Sequence, residues 1–234
     1  MRNAVKCKNC EHENALFRLN CTECNNYLRA RVWNIDLWHN IRLLIESPTK
    51  GFQDIIWSEH KNFVVFIIII SAIKLMIDSF FLNMTAENTS FLRYSFFMDY
   101  LLVLAEFIIF LVLFTLSVWY INKSLLIETR IKDVFAIITY AFIPSIFALV
   151  SLFLVEIILF GGYLFSVNPS PFIIKPVVAY TLLGVEIFVL LWSTFLLAFG
   201  FYTQTKLKFY SIVTSVIFFT LLLLILYKTP FTIL

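Results

Sequence analysis

Four cysteines are the residues best placed to do chemistry. Cys7-x-x-Cys10 and Cys21-x-x-Cys24 form two knuckles separated by ten residues. Each knuckle turns two thiolates toward one point, and two such turns build the tetrahedral four-sulfur site that zinc prefers. Four cysteine ligands leave no open position for water, so the expected role is structural rather than hydrolytic. A ribbon of about 24 residues cannot build its own core, and the metal would supply the folding energy. An iron–sulfur cluster is the competing ligand for the same thiolates. Lys6 and Lys8 would partly offset the negative charge of a four-thiolate site. Knuckles of this type often place Gly after the second Cys, where the chain turns left-handed. Glu11 and Asn25 stand there instead. Asn tolerates that conformation and Glu does so poorly, which predicts a distorted first knuckle.

A second set of chemical groups lies inside long apolar runs: Lys74, Asp78, Glu106, Glu156 and Glu186. Ionisable groups in hydrocarbon are costly and usually face a bundle interior. Lys74 and Asp78 are four residues apart and share a helix face. At about 1.5 Å per residue, Lys74, Asp78, Glu106 and Glu186 fall roughly 5–15 Å from the outer edge of their runs, with Glu156 nearer that edge. One reading is a structural ion pair, with Lys74 bound to one carboxylate and the others protonated or wetted from outside. The other is a proton- or cation-coupled site. No discontinuous helix or inverted repeat is evident, which favours the ion pair. Pro144 could open backbone groups in the third run, away from these charges.

These groups need a membrane to hold them. Of 234 residues, 61% are hydrophobic and 14% charged, and 27 are Phe. A soluble domain runs near 45–50% apolar and about 25% charged. A water-soluble core of this size could not bury such a load, and disorder needs the opposite composition. The net charge of +3 gives no argument for nucleic acid. Five segments, near 63–82, 100–121, 134–160, 177–200 and 209–227, reach the roughly 20 residues a spanning helix requires. They lack the period-two alternation of barrel strands. The fold class expected is all-α: a five-helix transmembrane bundle preceded by a small zinc ribbon and amphipathic interfacial helices. The segments are 1–30 for the ribbon, 31–61 for the interfacial part and 62–234 for the membrane domain.

Lys and Arg in the connections set an orientation. Arg2, Lys6, Lys8, Arg18, Arg29, Arg31, Arg42, Lys50 and Lys61 precede span one, Lys123, Arg130 and Lys132 follow span two, and Lys206 and Lys208 follow span four. The other side holds only Arg93, Lys175 and Lys228. Fourteen against three puts the N-terminus in the cytoplasm and the C-terminus outside. The start, MRNAVKCKNCEHEN, is polar, so span one is expected to act as its own insertion signal. A cytoplasmic location keeps thiols reduced and favours metal over disulfide. Asn83-Met84-Thr85 and Asn88-Thr89-Ser90 read as glycosylation sequons by pattern, although chance accounts for them in an Asn-rich loop.

Between ribbon and span one, Leu37, Trp38, Ile41, Leu44 and Ile45 recur at helical spacing. Ser47 can cap a second helix with Pro48 at its first position, carrying Phe52, Ile55, Ile56 and Trp57. Such helices suit a headgroup region, or equally pack under the ribbon against the span ends.

The Ser-Pro lead followed by Phe52 and Ile55, five spans, and Tyr140-Ala141-Phe142-Ile143-Pro144 early in span three resemble the Yip family of Ypt/Rab-interacting membrane proteins and their prokaryotic relatives. The resemblance covers about residues 37–228. The family's Gly-rich stretch before span three is replaced here by SLLIETRIKD, and an N-terminal four-Cys ribbon is more like bacterial members. The resemblance implies trafficking or membrane organisation through partners, without catalysis, and a bacterial cytoplasmic membrane in preference to endoplasmic reticulum or Golgi. The residues themselves offer no nucleophile–base pairing, no Gly-rich phosphate loop and no open metal site. The functional expectation is therefore a non-enzymatic adaptor in the lipid bilayer, docking a protein partner through its ribbon. The alternative is a small ion- or proton-coupled transporter using the buried carboxylates.

Overall fold

The computed structural model describes residues 3–85, 96–166 and 168–228. The ribbon opens with an antiparallel pair, β1 (Ala4–Lys6) and β2 (Glu13–Ala15), in register Ala4 opposite Ala15 and Lys6 opposite Glu13. The helices are α1 (Leu37–Glu46), α2 (Pro48–Trp57), α3 (Val64–Thr85), α4 (Phe96–Ser124), α5 (Ile131–Tyr140), α6 (Ile143–Phe160), α7 (Pro171–Ile174), α8 (Pro176–Thr205) and α9 (Lys208–Lys228). Five stretches are long and apolar enough to cross a membrane: Val64–Leu82, Phe96–Ser124, Ile131–Phe165, Pro176–Thr205 and Lys208–Lys228. The protein is an integral, mostly helical membrane protein. Sequon Asn88-Thr89-Ser90 lies outside the described residues, as do the side chains of Asn83, Met84 and Thr85.

The third span departs from the sequence expectation, because it is discontinuous. α5 ends at Tyr140, Ala141 and Phe142 form a turn, and α6 starts afresh with Pro144 in its first turn. Proline has no N–H to offer the carbonyl four residues back, here that of Tyr140, while its fixed φ suits a helix start. The Tyr-Ala-x-x-Pro pattern therefore writes a break.

The chain forms two compact units. The first comprises residues 1–65, 111–141 and 195–216, and the second 66–110, 142–194 and 217–234. In the first unit, α1 and α2 form a helical hairpin. Asp36 caps α1 by accepting from the His39 N–H at 3.1 Å, and Asn40 donates to the Gly51 carbonyl at 3.0 Å. Ser47 precedes α2 and its carbonyl accepts from Lys50 and Gly51, but its hydroxyl makes no capping bond. Phe52, Ile55 and Ile56 are fully buried. Phe52 lies against Gly200 of α8, where Ile137 of α5 also arrives. So α2 packs into the core of its unit. α1 differs: Leu44 faces inward while Trp38 is 77% exposed and Ile45 also faces out.

The second unit has an aromatic core. Phe142, the residue after the break, meets Phe107 at 5.1 Å and Phe219 at 5.5 Å between ring centroids. Phe80 meets Phe165 edge-on at 5.7 Å. Such pairs add to the burial of large apolar area.

Candidate functional site

The two cysteine knuckles share one local geometry. Cys7 accepts from the Glu11 N–H at 3.0 Å and Cys21 from the Asn25 N–H at 3.1 Å, in each case through the carbonyl. In return the Cys7 N–H donates to His12 and the Cys21 N–H to Asn26. Glu11 and Asn25 both take the left-handed conformation, at φ 59° and 58°. The distortion expected at Glu11 is therefore not found. Its backbone turns as Asn25 does, and the protein carries the steric penalty of a Cβ in that region.

These turns bring Cys7, Cys10, Cys21 and Cys24 together, with all four sulfurs within 4.8 Å of one another. Cys7 and Cys24 are 3.6 Å apart and Cys10 and Cys21 3.5 Å. The donor set fits a metal ion that takes four thiolates. Its electrostatics point the same way, because four such sulfurs cannot all ionise without a cation among them. The Cys24 N–H, outweighing desolvation, draws Cys21 down to about 6. At Cys10 the His12 N–H lowers the thiol, but desolvation and the three neighbouring cysteines prevail and push it up to about 12.

Spacing alone did not reveal Asn14, which is 1% exposed. Its amide N–H donates to Cys21 Sγ at 3.5 Å and to the His12 carbonyl at 2.9 Å. Its Oδ1 accepts from the N–H and hydroxyl of Thr22 at 2.9 and 3.1 Å. One short amide thus ties the first knuckle to the second, the kind of outer contact that orients metal ligands. The signal for it is generic: Asn is the residue that most readily bonds local backbone in turns.

The ribbon is seated on the rest of its unit. Asn3 donates to the carbonyls of Glu128 and Gln204, both at 3.1 Å. Arg29 bonds the carbonyls of Phe17 and Trp57 at 2.9 and 3.1 Å, and the Trp57 indole donates to the Leu16 carbonyl at 3.2 Å. The Arg130 guanidinium lies 4.7 Å from the Phe17 ring centroid and donates to the Ile56 carbonyl at 2.8 Å. Arg130 also pairs at 2.7 Å with Asp133, which is buried and pairs with Lys61 at 2.9 Å. Lys61 in turn caps α2, donating to the carbonyls of Ile55, Ile56 and Ser58. Cations at a helix C-terminus satisfy its free carbonyls.

In the second unit, α3 and α8 bring Lys74, Asp78 and Glu186 into one ion-paired group. Lys74 is 0% exposed and binds two carboxylates, where the sequence suggested one. Glu156 of α6 is within electrostatic reach of all three. Glu106 of α4 is half-buried.

Compared with known proteins, the chain matches no family model, no curated sequence and no solved structure.

Proposed function

We propose that the protein is a non-enzymatic multi-pass membrane adaptor of Yip type, lying N-terminus inward in a bacterial cytoplasmic membrane. Its ribbon binds zinc and docks a protein partner at the cytoplasmic face. The observation that carries this reading is the seating of the ribbon. Asn3, Arg29, Trp57 and Arg130 hold it in place, while Tyr27, Trp33, Trp38 and Ile45 stay exposed. Exposed aromatic anchors on a fixed support are what a docking surface needs. Arg31 stacks on Trp33 at 3.4 Å and adds a cation to that face. The positive-inside bias gives the orientation, and zinc is the metal whose chemistry best matches four thiolates. In that role the cysteines fold the ribbon and take no part in a reaction.

Crosslinking in native membranes tests the reading. Partners captured by the wild-type chain are expected to be lost from Cys7→Ser/Cys10→Ser at equal membrane abundance. An unchanged partner list would overturn it.

The second reading, proton- or ion-coupled transport by the membrane domain, is favoured by a buried group with three carboxylates around one ammonium. Flux into liposomes, abolished by Glu186→Gln, would support it. Absence of flux for any tested ion or solute would count against it.

A further inference from the structure

Among the described residues, Glu156 is the carboxyl group with both oxygens buried and without a hydrogen-bond partner. Its side chain is 0% exposed, and neither carboxylate oxygen has a hydrogen-bond partner among the described residues. An ionised carboxylate without donor or cation is among the costliest arrangements an apolar interior can hold.

The surrounding charges do not neutralise it. The acidic and basic side chains described in this unit are Lys74 and Asp78 on α3, Asp99 and Glu106 on α4, Glu156 on α6, Lys175 before α8, Glu186 on α8 and Lys228 at the end of α9. Those that act on Glu156 are Glu186, Lys74 and Asp78. The Lys74 ammonium is already committed to Asp78 and Glu186. Lys175 is at the same end of α6 but is turned to the backbone, donating to the Leu159 carbonyl at 3.0 Å. With Glu156 itself there are thus three carboxylates to one ammonium, and burial demands that the excess negative charge be removed.

We propose that Glu156 is an exchangeable proton site, neutral at physiological pH, whose deprotonation sets a third carboxylate competing for Lys74. In the release step the O–H bond of Glu156 breaks, its electron pair stays on the carboxylate oxygen, and the proton passes to water or to the Glu186 carboxylate. Lys74 keeps its three N–H bonds throughout. The new negative charge on α6 then pulls Lys74 from Asp78 and Glu186. The proposal deepens the second functional reading by naming its proton carrier. Its test reads protonation and not flux, so a failure of transport leaves it standing and its own failure does not depend on transport.

The experiment uses the full-length protein in phosphatidylcholine nanodiscs in metal-free buffer. Infrared spectra at pH 7 are expected to show a neutral carboxylic-acid carbonyl band that loses a component in Glu156→Gln. Titration to alkaline pH should release more protons per chain from the wild type than from the variant. Dicyclohexylcarbodiimide, which attacks protonated carboxyls in apolar surroundings, gives a readout that needs no variant: peptide mapping should find its adduct on Glu156. An unreactive Glu156, or a band identical in both proteins, overturns the proposal. So does a neutral-acid band that disappears when sodium, potassium or calcium is added at constant pH, because the site would then bind a metal cation.

Discussion

The Tyr140 hydroxyl donates to the Asn62 carbonyl at 2.6 Å. This bond ties the last turn of α5, at the break in span three, to the segment leading into α3. The Asn62 amide carries the tie onward, gripping the Ile35 N–H and carbonyl at 2.8 Å each. Tyr140→Phe keeps the ring and removes the donor. The expected cost is about 1 kcal/mol, typical of one buried hydrogen bond, or a fall of about 2–4 °C in melting temperature for a chain of this size. A melt in detergent checks it, and an unchanged midpoint would show that the bond contributes nothing.

Asn14 should matter to metal retention although it is no ligand. Asn14→Ala removes the donor to Cys21 and both bonds to Thr22. Loss of an outer-shell partner typically weakens metal affinity by about 10–100-fold. Competition with a chromophoric zinc chelator measures this directly. The wild type should hold about one equivalent of metal per chain and Cys7→Ser/Cys10→Ser essentially none. An Asn14→Ala protein that competes as the wild type does would assign Asn14 to ribbon packing alone.

Glu11→Gly should strengthen the site. Glu11 holds φ at 59°, where a non-glycine residue costs about 1–2 kcal/mol. Glycine removes that strain but loses about 0.5–1 kcal/mol through its freer unfolded chain. The net gain expected is up to about 1.5 kcal/mol, seen as slower metal loss to a chelator. Asn25→Gly, starting from a residue that tolerates the region, should gain less. Equal gains at both positions would contradict the steric account.

Lys61 supplies a pH dependence. Burial, opposed by Asp133, pushes its ammonium down to about 8 from an ordinary 10.5. Between these values the unfolded chain binds more protons than the folded one, so stability from this group rises with pH. Below 8 both states are protonated and the full penalty of burying the charge is present. Above 10.5 it is gone. The window is worth about 3 kcal/mol. In Lys61→Met the corresponding rise should be absent, so the difference between the two proteins narrows or widens only between pH 8 and 10.5. Parallel stability curves across that range would refute the linkage.

The parts of this protein written locally were legible before folding. Cys-x-x-Cys is a local turn, and its four sulfurs converge as the spacing implies. A spanning helix is a continuous apolar run, so the five spans could be placed to within a few residues at their ends, but the break inside the third could not. What stayed hidden depends on contacts across long stretches of chain. Arg130 on Phe17 and Asn3 on Gln204 leave no trace in any window. The isolation of Glu156 was equally invisible, because depth along a run can be counted whereas burial depends on what α3 and α8 present. Pro144 was visible, but a proline in an apolar run reads as a kink as easily as a helix start. Phe142 decides it, turning out of the α5 helix with ψ near 0°.

The paired glycines of α8 give the sharpest packing test. At Gly200 an added Cβ would lie 2.5 Å from Ile137 Cγ2 and 3.0 Å from Phe52 Cε1. Neither neighbour can retreat easily, since Ile137 and Phe52 are both fully buried. Gly200→Ala therefore forces overpacking, at about 1–3 kcal/mol, which exceeds the roughly 0.5–1 kcal/mol that alanine gains over glycine in a helix. At Gly184, on the same helix, an added Cβ meets nothing within 4 Å. There the helix preference acts alone, and Gly184→Ala should stabilise by about that 0.5–1 kcal/mol. The two substitutions are chemically identical, so opposite shifts in a detergent melt would isolate the contact of α2 and α5 with α8 as the cause. Stabilisation by both would mean that Phe52 does not seat against Gly200, and would remove α2 from the core of its unit.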